Sequence, residues 1–146
     1  MRKNVLVDID HTISNSFWRD SLIGGPGGWD EYHRNLIDDE PVIDVVGMIN
    51  TLYWAQYTIV GITARPGKWR KLTLDWCVKH SVRLNELLMR PDDDFYPAAE
   101  LKVRLASERF PNLKDEVAFI MDDREDVSVA FRELGVTALQ VYARQS

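Results

Sequence analysis

The chain has 146 residues, 45% hydrophobic and 28% charged, with a formal net charge of −5 at pH 7. That length suits one domain with a real core, and the acidity argues against non-specific coating of nucleic acid, though not against a local basic groove. Cys77 is the only cysteine, which excludes an internal disulfide, and no apolar run approaches the roughly 20 residues of a membrane span.

In chain order, the first predicted element is the apolar run Val5–Ile9, interrupted by Asp8 and followed by Asp10 and Thr12. Residues 14–40, aromatic, polar and glycine-rich, are too long for a simple connection and read as a small insertion over the sheet edge. Its "GGPGG" lacks the Gly-Lys-Ser/Thr ending of a phosphate-cradling loop and reads as a hinge. Asp39-Glu40-Pro41 supplies a capping residue and an early proline for a helix carrying Val42, Val45, Val46, Ile49, Leu52 and Tyr53 on one face. The strand Tyr57–Ile62 follows, then a helix from near Gly67 with Trp69, Leu72 and Trp76, and the short strand Leu87–Met89. A helix with Ala98, Leu101 and Leu105 ends before Pro111. The strand Val117–Met121 leads to a helix with Val127, Ala130, Phe131 and Leu134, closed by Gly135. Ala138–Tyr142 is the final strand. The strands run apolar with little alternation, as strands buried on both faces do. Their alternation with helices predicts an α/β sandwich around a mostly parallel sheet, as one domain over 1–146.

Three strands end in chemistry. Asp8 closes the first, Thr63 follows the second, and Asp122 and Asp123 close the fourth. Ligands of open parallel sheets bind outside the carboxyl ends of the strands, so these residues, with Asp10, converge on one edge. Clustered carboxylates repel and raise one another's pKa unless a cation holds them. With oxygen donors alone, a hard ion is expected, Mg²⁺ first.

These stretches resemble the motifs of the haloacid dehalogenase-like phosphohydrolases. "VLVDIDHT" is similar to a strand followed by Asp-x-Asp-x-Thr, "IVGITAR" to a strand ending in Thr or Ser, and "AFIMDDRED" to a strand ending in paired acids. Lys102 in "AAELKVRL" fits the lone basic residue near a helix start. The resemblance implies a Rossmann-like three-layer sandwich with a small cap at about 14–40. It also implies a nucleophile at Asp8, a general acid/base at Asp10, and phosphate contacts from Thr63 and Lys102. Mg²⁺ would be held by Asp8, the Asp10 backbone carbonyl and Asp123, with Asp122 in the outer shell. His11 stands where that family usually has glycine. "FIMDDREDVSVAFRELGVTALQVY" and "YTIVGITARPGKWRKLTLDW" further resemble the 3′-phosphatase domain of phage polynucleotide kinase/phosphatase, whose kinase half has no counterpart here. A 3′-phosphorylated nucleotide or nucleic acid end is the implied substrate, with sugar phosphates the alternative. The expected setting is the cytoplasm of a bacterium or phage-infected host, with no membrane and no obligate protein partner.

Some signals stay open between structure and function. Arg65, Lys68, Arg70 and Lys71 form either an exposed basic turn or a substrate contact, with Arg65 the candidate. Arg124 either supports the acidic pair or is exposed. Phe17, Trp18, Trp29 and Tyr32 either pack the insertion or offer a stacking face for a base. Cys77 reads as a small buried apolar residue. A phospho-receiver module is a competing reading, but in such a module the lysine comes last, whereas Lys102 precedes the final acidic pair here.

Overall fold

The computed structural model describes residues 2–143. Its elements, in chain order, are β1 (Asn4–Val7), β2 (Ser14–Asn15), α1 (Gly28–Arg34), β3 (Glu40–Pro41), α2 (Ile43–Trp54), β4 (Thr58–Pro66), α3 (Arg70–Lys79), β5 (Glu86–Arg90), α4 (Ala98–Arg109), α5 (Leu113–Glu116), β6 (Val117–Asp122), α6 (Glu125–Glu133) and β7 (Thr137–Gln140). Five strands form one parallel sheet in the order β5-β4-β1-β6-β7. The chain leaves β1 towards β4 and β5, then returns to build β6 and β7 on its other side. The strand order therefore reverses at β1, and Asp8 follows that strand directly.

Both faces of the sheet are covered, which is why its central strands read as unbroken apolar runs. Val5 and Val7 pack with Val46 and Ile49 of α2 and Trp76 and Cys77 of α3. Leu6 points the other way, into a cluster with Ala106 of α4, Leu113 of α5, and Val127 and Phe131 of α6. The result is a three-layer α/β sandwich. Gly61 lies where a Cβ would come within 2.8 Å of Leu87 Cδ1, so the closeness of β4 and β5 depends on a bare backbone there. Gly135, at φ +84°, ends α6, and the Val136 N–H reaches the Phe131 carbonyl at 3.0 Å, a Schellman closure.

The boundaries differ from expectation in instructive places. β1 stops at Val7, although the Asp8 N–H still donates to the Met121 carbonyl at 2.9 Å. β4 runs beyond Ile62 to Pro66, carrying Thr63 and Arg65 inside a strand. β7 ends at Gln140. Asp39 does not cap α2: Val42 occupies that position without a side-chain cap, because the Asp39 carboxylate is spent elsewhere. The insertion leaves on β2 and returns on β3, which pair antiparallel through Ser14–Pro41 and Asn15–Glu40. Between them lie a 3-10 turn over Phe17–Leu22 and α1. No helix among the described residues is long and apolar enough to cross a membrane.

Candidate active site

Asp8 is buried, at 4% exposure, at the head of β1. Its Oδ1 accepts from Lys102 Nζ at 2.8 Å and its Oδ2 from Thr12 Oγ1 at 3.0 Å. The Lys102 ammonium, reaching in from α4, also donates to Asp122 Oδ2 at 2.6 Å. Asp122 Oδ1 accepts the Arg124 backbone N–H at 2.9 Å, so both Asp122 oxygens are occupied. The Asp123 carboxylate accepts a long bond from Thr12 Oγ1, at 3.4 Å. Oxygens of Asp8, Asp122 and Asp123 all lie within 4.8 Å of one another.

That cluster holds more negative charge than Lys102 offsets. Burial, then Asp8, pushes the Asp122 carboxyl up to about 6 against the pull of Lys102. Burial, then Asp8 and Asp122, pushes Asp123 up to about 8. An all-oxygen set that resists its own ionisation fits a hard divalent cation, which reverses the sign of the local field.

Asp10 lies in different company. Arg65 grips it with two hydrogen bonds, Nε to Oδ2 at 3.0 Å and Nη2 to Oδ1 at 2.7 Å. Arg19 Nη2 adds a third at 2.7 Å and Ser16 Oγ a fourth at 2.9 Å. Burial alone would raise the Asp10 carboxyl, but Arg65 and then Arg19 hold it well below the usual carboxylate range. Its side chain keeps 20% exposure, so the clamped carboxylate still opens outward. Two acids spaced i and i+2 are thus given opposite settings: Asp8 faces a lysine and other acids, Asp10 faces guanidiniums.

Residues 2–145 match the family described as polynucleotide kinase PNKP phosphatase domain. The chain belongs to that family. None of the curated proteins matches. Among solved structures, the chain is similar to one from the Pnkp1/Rnl/Hen1 complex, at 23% identity with a TM-score of 0.80, over 98% of this chain and 47% of that one. It is similar to a second, from the Pnkp1/Rnl/Hen1 RNA repair complex, at 24% identity and a TM-score of 0.80, over 97% of this chain and 42% of that one. It therefore spans less than half the length of those two chains. A haloacid dehalogenase family enzyme from Bacteroides thetaiotaomicron, in complex with magnesium and inorganic phosphate, matches at 12% identity and a TM-score of 0.62, over 100% of this chain and 97% of that one. By family, the chain is a phosphatase domain of the haloacid dehalogenase-like type.

Within this PNKP-type domain, the remaining sequence candidates divide. Thr63 is buried at the carboxyl end of the sheet, where its hydroxyl accepts the Arg65 N–H at 3.1 Å. It makes no direct bond to Asp8 or Asp10 among the described residues. Arg65 stands at the site, but through Asp10 and through Thr73 Oγ1, at 3.1 Å. The other basic residues of its turn have local partners: Lys68 pairs with Asp30 at 2.8 Å, Lys71 with Asp75 at 2.8 Å, and Arg70 donates to the Leu87 carbonyl at 2.8 Å. The Arg124 guanidinium pairs with Asp126 and also feels the charges of Asp122 and Asp123, while its backbone N–H donates to Asp122. Cys77 is buried, and burial pushes its thiol up to about 11.

His11 takes the turn after Asp10 at φ +63°, a conformation that suits glycine far better than a side chain. Its ring stacks on Phe17 at 4.2 Å and its Nε2 meets Asp20 at 3.2 Å, contacts that hold the strained turn against the insertion. Arg19 and Asp39 were invisible as site residues in the sequence. Arg19 sits among aromatics at no informative spacing, and Asp39 imitates a helix cap. The available hint was a pair of oppositely charged residues near the two ends of one insertion.

Proposed function

We propose that this domain hydrolyses phosphomonoesters with Mg²⁺ through an aspartyl-phosphate, its substrate a 3′-phosphorylated nucleotide or nucleic acid end. The observation that carries the reading is the position of Asp8: at the point of strand reversal, aligned by Lys102 and Thr12, beside Asp122 and Asp123, with Asp10 two residues on. In the first step an Asp8 oxygen bonds to phosphorus, the bond to the leaving oxygen breaks, and Asp10 gives that oxygen its proton. In the second, water attacks the aspartyl-phosphate, Asp10 takes its proton, and phosphate leaves with Asp8 restored. The ionised, arginine-held Asp10 of this structure matches the second step. Lys102 and Thr63 are assigned to the phosphoryl oxygens, one by charge and one by hydroxyl, and Arg65 to the substrate side of Asp10.

Mg²⁺ is assigned to Asp8, the Asp10 backbone carbonyl and Asp123, with Asp122 in the outer shell. The less occupied oxygens of Asp123, against the saturated ones of Asp122, support that division. When bound, the cation supplies charge neutralisation for the phosphoryl oxygens. Because Asp122 and Asp123 are raised in the fold, the protein binds more protons folded than unfolded between their ordinary and native values. Metal-free stability therefore falls as pH rises from about 4 towards 8. The melting temperature in chelator is expected to drop over that range, and added Mg²⁺ to restore it more at pH 8 than at pH 5. A pH-independent Mg²⁺ shift would count against these ligands.

The nucleic acid assignment is supported by the family and by the relative described as part of an RNA repair complex. That relative is described in a complex, whereas the activity proposed here is assigned to side chains of this chain with Mg²⁺. A phosphate-release screen with Mg²⁺ over 3′-phosphorylated oligonucleotides, 3′- and 5′-mononucleotides and sugar phosphates tests it. The 3′-phosphorylated ends are expected to give the highest kcat/KM; a preference for sugar phosphates would overturn the substrate.

A further inference from the structure

The side chain of Asp39 has 0% exposure, and a buried carboxylate needs partners for its oxygens. Its hydrogen-bond donors come from the start of the insertion, and the Arg65 guanidinium of β4 approaches it at 3.8 Å. Arg19 binds it twice, Nε to Oδ1 at 2.8 Å and Nη2 to Oδ2 at 2.7 Å. Trp18 Nε1 donates to Oδ1 at 2.8 Å, Ser16 Oγ to Oδ2 at 3.3 Å, and Ser14 Oγ also to Oδ2. The backbone is fixed as well, since the buried Trp76 of α3 donates its indole N–H to the Asp39 carbonyl at 2.9 Å.

Two of these donors also reach Asp10. Arg19 Nη2 lies 2.7 Å from Asp39 Oδ2 and 2.7 Å from Asp10 Oδ1. Ser16 Oγ spans the same pair at 3.3 and 2.9 Å. Arg19 has 0% exposure and is further held by the Tyr32 carbonyl at 2.9 Å. A hydrogen-bonded path therefore runs from the core through Asp39 and Arg19 to Asp10.

We infer that Asp39 is a positioning residue for proton transfer: it orients Arg19 so that Asp10 meets the leaving oxygen of the substrate. This rests on the reading of Asp10 as the proton donor. A residue that only locked the insertion shut would affect all substrates alike. A residue that places the acid matters most when the leaving oxygen is a poor one, such as an alkoxide, and much less for p-nitrophenolate, which departs without a proton.

The test compares kcat/KM for p-nitrophenyl phosphate with that for an alkyl monoester, thymidine 3′-monophosphate or whichever alkyl ester the substrate screen ranks first. For Asp39→Asn the alkyl ester is expected to lose about 100-fold, the scale of a displaced general acid, and the aryl ester less than about tenfold. Arg19→Gln, which breaks the path but keeps Asp39, is expected to give the same selective loss and serves where Asp39→Asn does not fold. The double variant should be no worse than Arg19→Gln alone. Equal losses on both esters in Asp39→Asn or Arg19→Gln, or no loss, would overturn the inference. If Asp10→Asn itself lost both esters equally, the proton-donor reading would fail and the inference with it; a selective loss in Asp10→Asn without one in Asp39→Asn would overturn the inference alone.

Discussion

Asp8→Asn is expected to lower turnover of every phosphomonoester by about 10⁴-fold or more, because it removes the proposed covalent route rather than one contact. The change is nearly isosteric. The amide keeps an oxygen for Lys102 and a place beside Thr12, so the fold has no reason to collapse. It also removes one negative charge from a cluster in which Asp122 and Asp123 are already pushed up by burial and by Asp8. Without metal the variant should therefore melt no lower than the parent. Acid quenching during turnover should trap a phosphorylated protein in the parent and none in the variant. Parent-like phosphate release from Asp8→Asn would sink the nucleophile assignment.

Lys102→Met is expected to damage both stability and activity. Lys102 is 2% exposed and is the cation that Asp8 and Asp122 share. Burial works to lower its pKa, yet the two carboxylates raise it above the ordinary lysine value. Methionine fills much of the same space and leaves buried carboxylates without a counter-charge. Breaking such a pair costs roughly 3–5 kcal/mol, and the deficit should grow with pH as the acids ionise. Mg²⁺ should recover part of it. Loss of the charge proposed to face the phosphoryl oxygens is expected to lower kcat by about 10²–10³-fold even when the fold is restored. Denaturant titrations at pH 5 and pH 8, with and without Mg²⁺, alongside phosphate release, would check both. Stability unchanged at pH 8 in chelator would mean that the carboxylates do not depend on Lys102.

Much of this was legible along the chain. Val5, Leu6 and Val7 are continuous apolar residues because each face of β1 meets a different helical layer. Asp8, Asp122 and Asp123 mark strand ends because a charge stops a run that is buried on both sides. Thr63 was placed at the right edge, although β4 continues past it to Pro66. The cap signal at Asp39 failed for a physical reason: a short acid before a helix has the same sequence appearance whether it serves the helix N–H groups or a distant guanidinium.

The sequence by itself determined the five strands of the main sheet, the four longer helices that flank it, the layers and the edge at which the acids collect. Apolar periodicity is local, and parallel crossovers bring successive strand ends to one side. Only the tertiary structure decided the company each acid keeps. Asp8 lies 94 residues from Lys102, and Asp10 lies 9 from Arg19 and 55 from Arg65. Such pairings depend on where folded segments bring charges within hydrogen-bond reach, and no spacing along the chain encodes that distance.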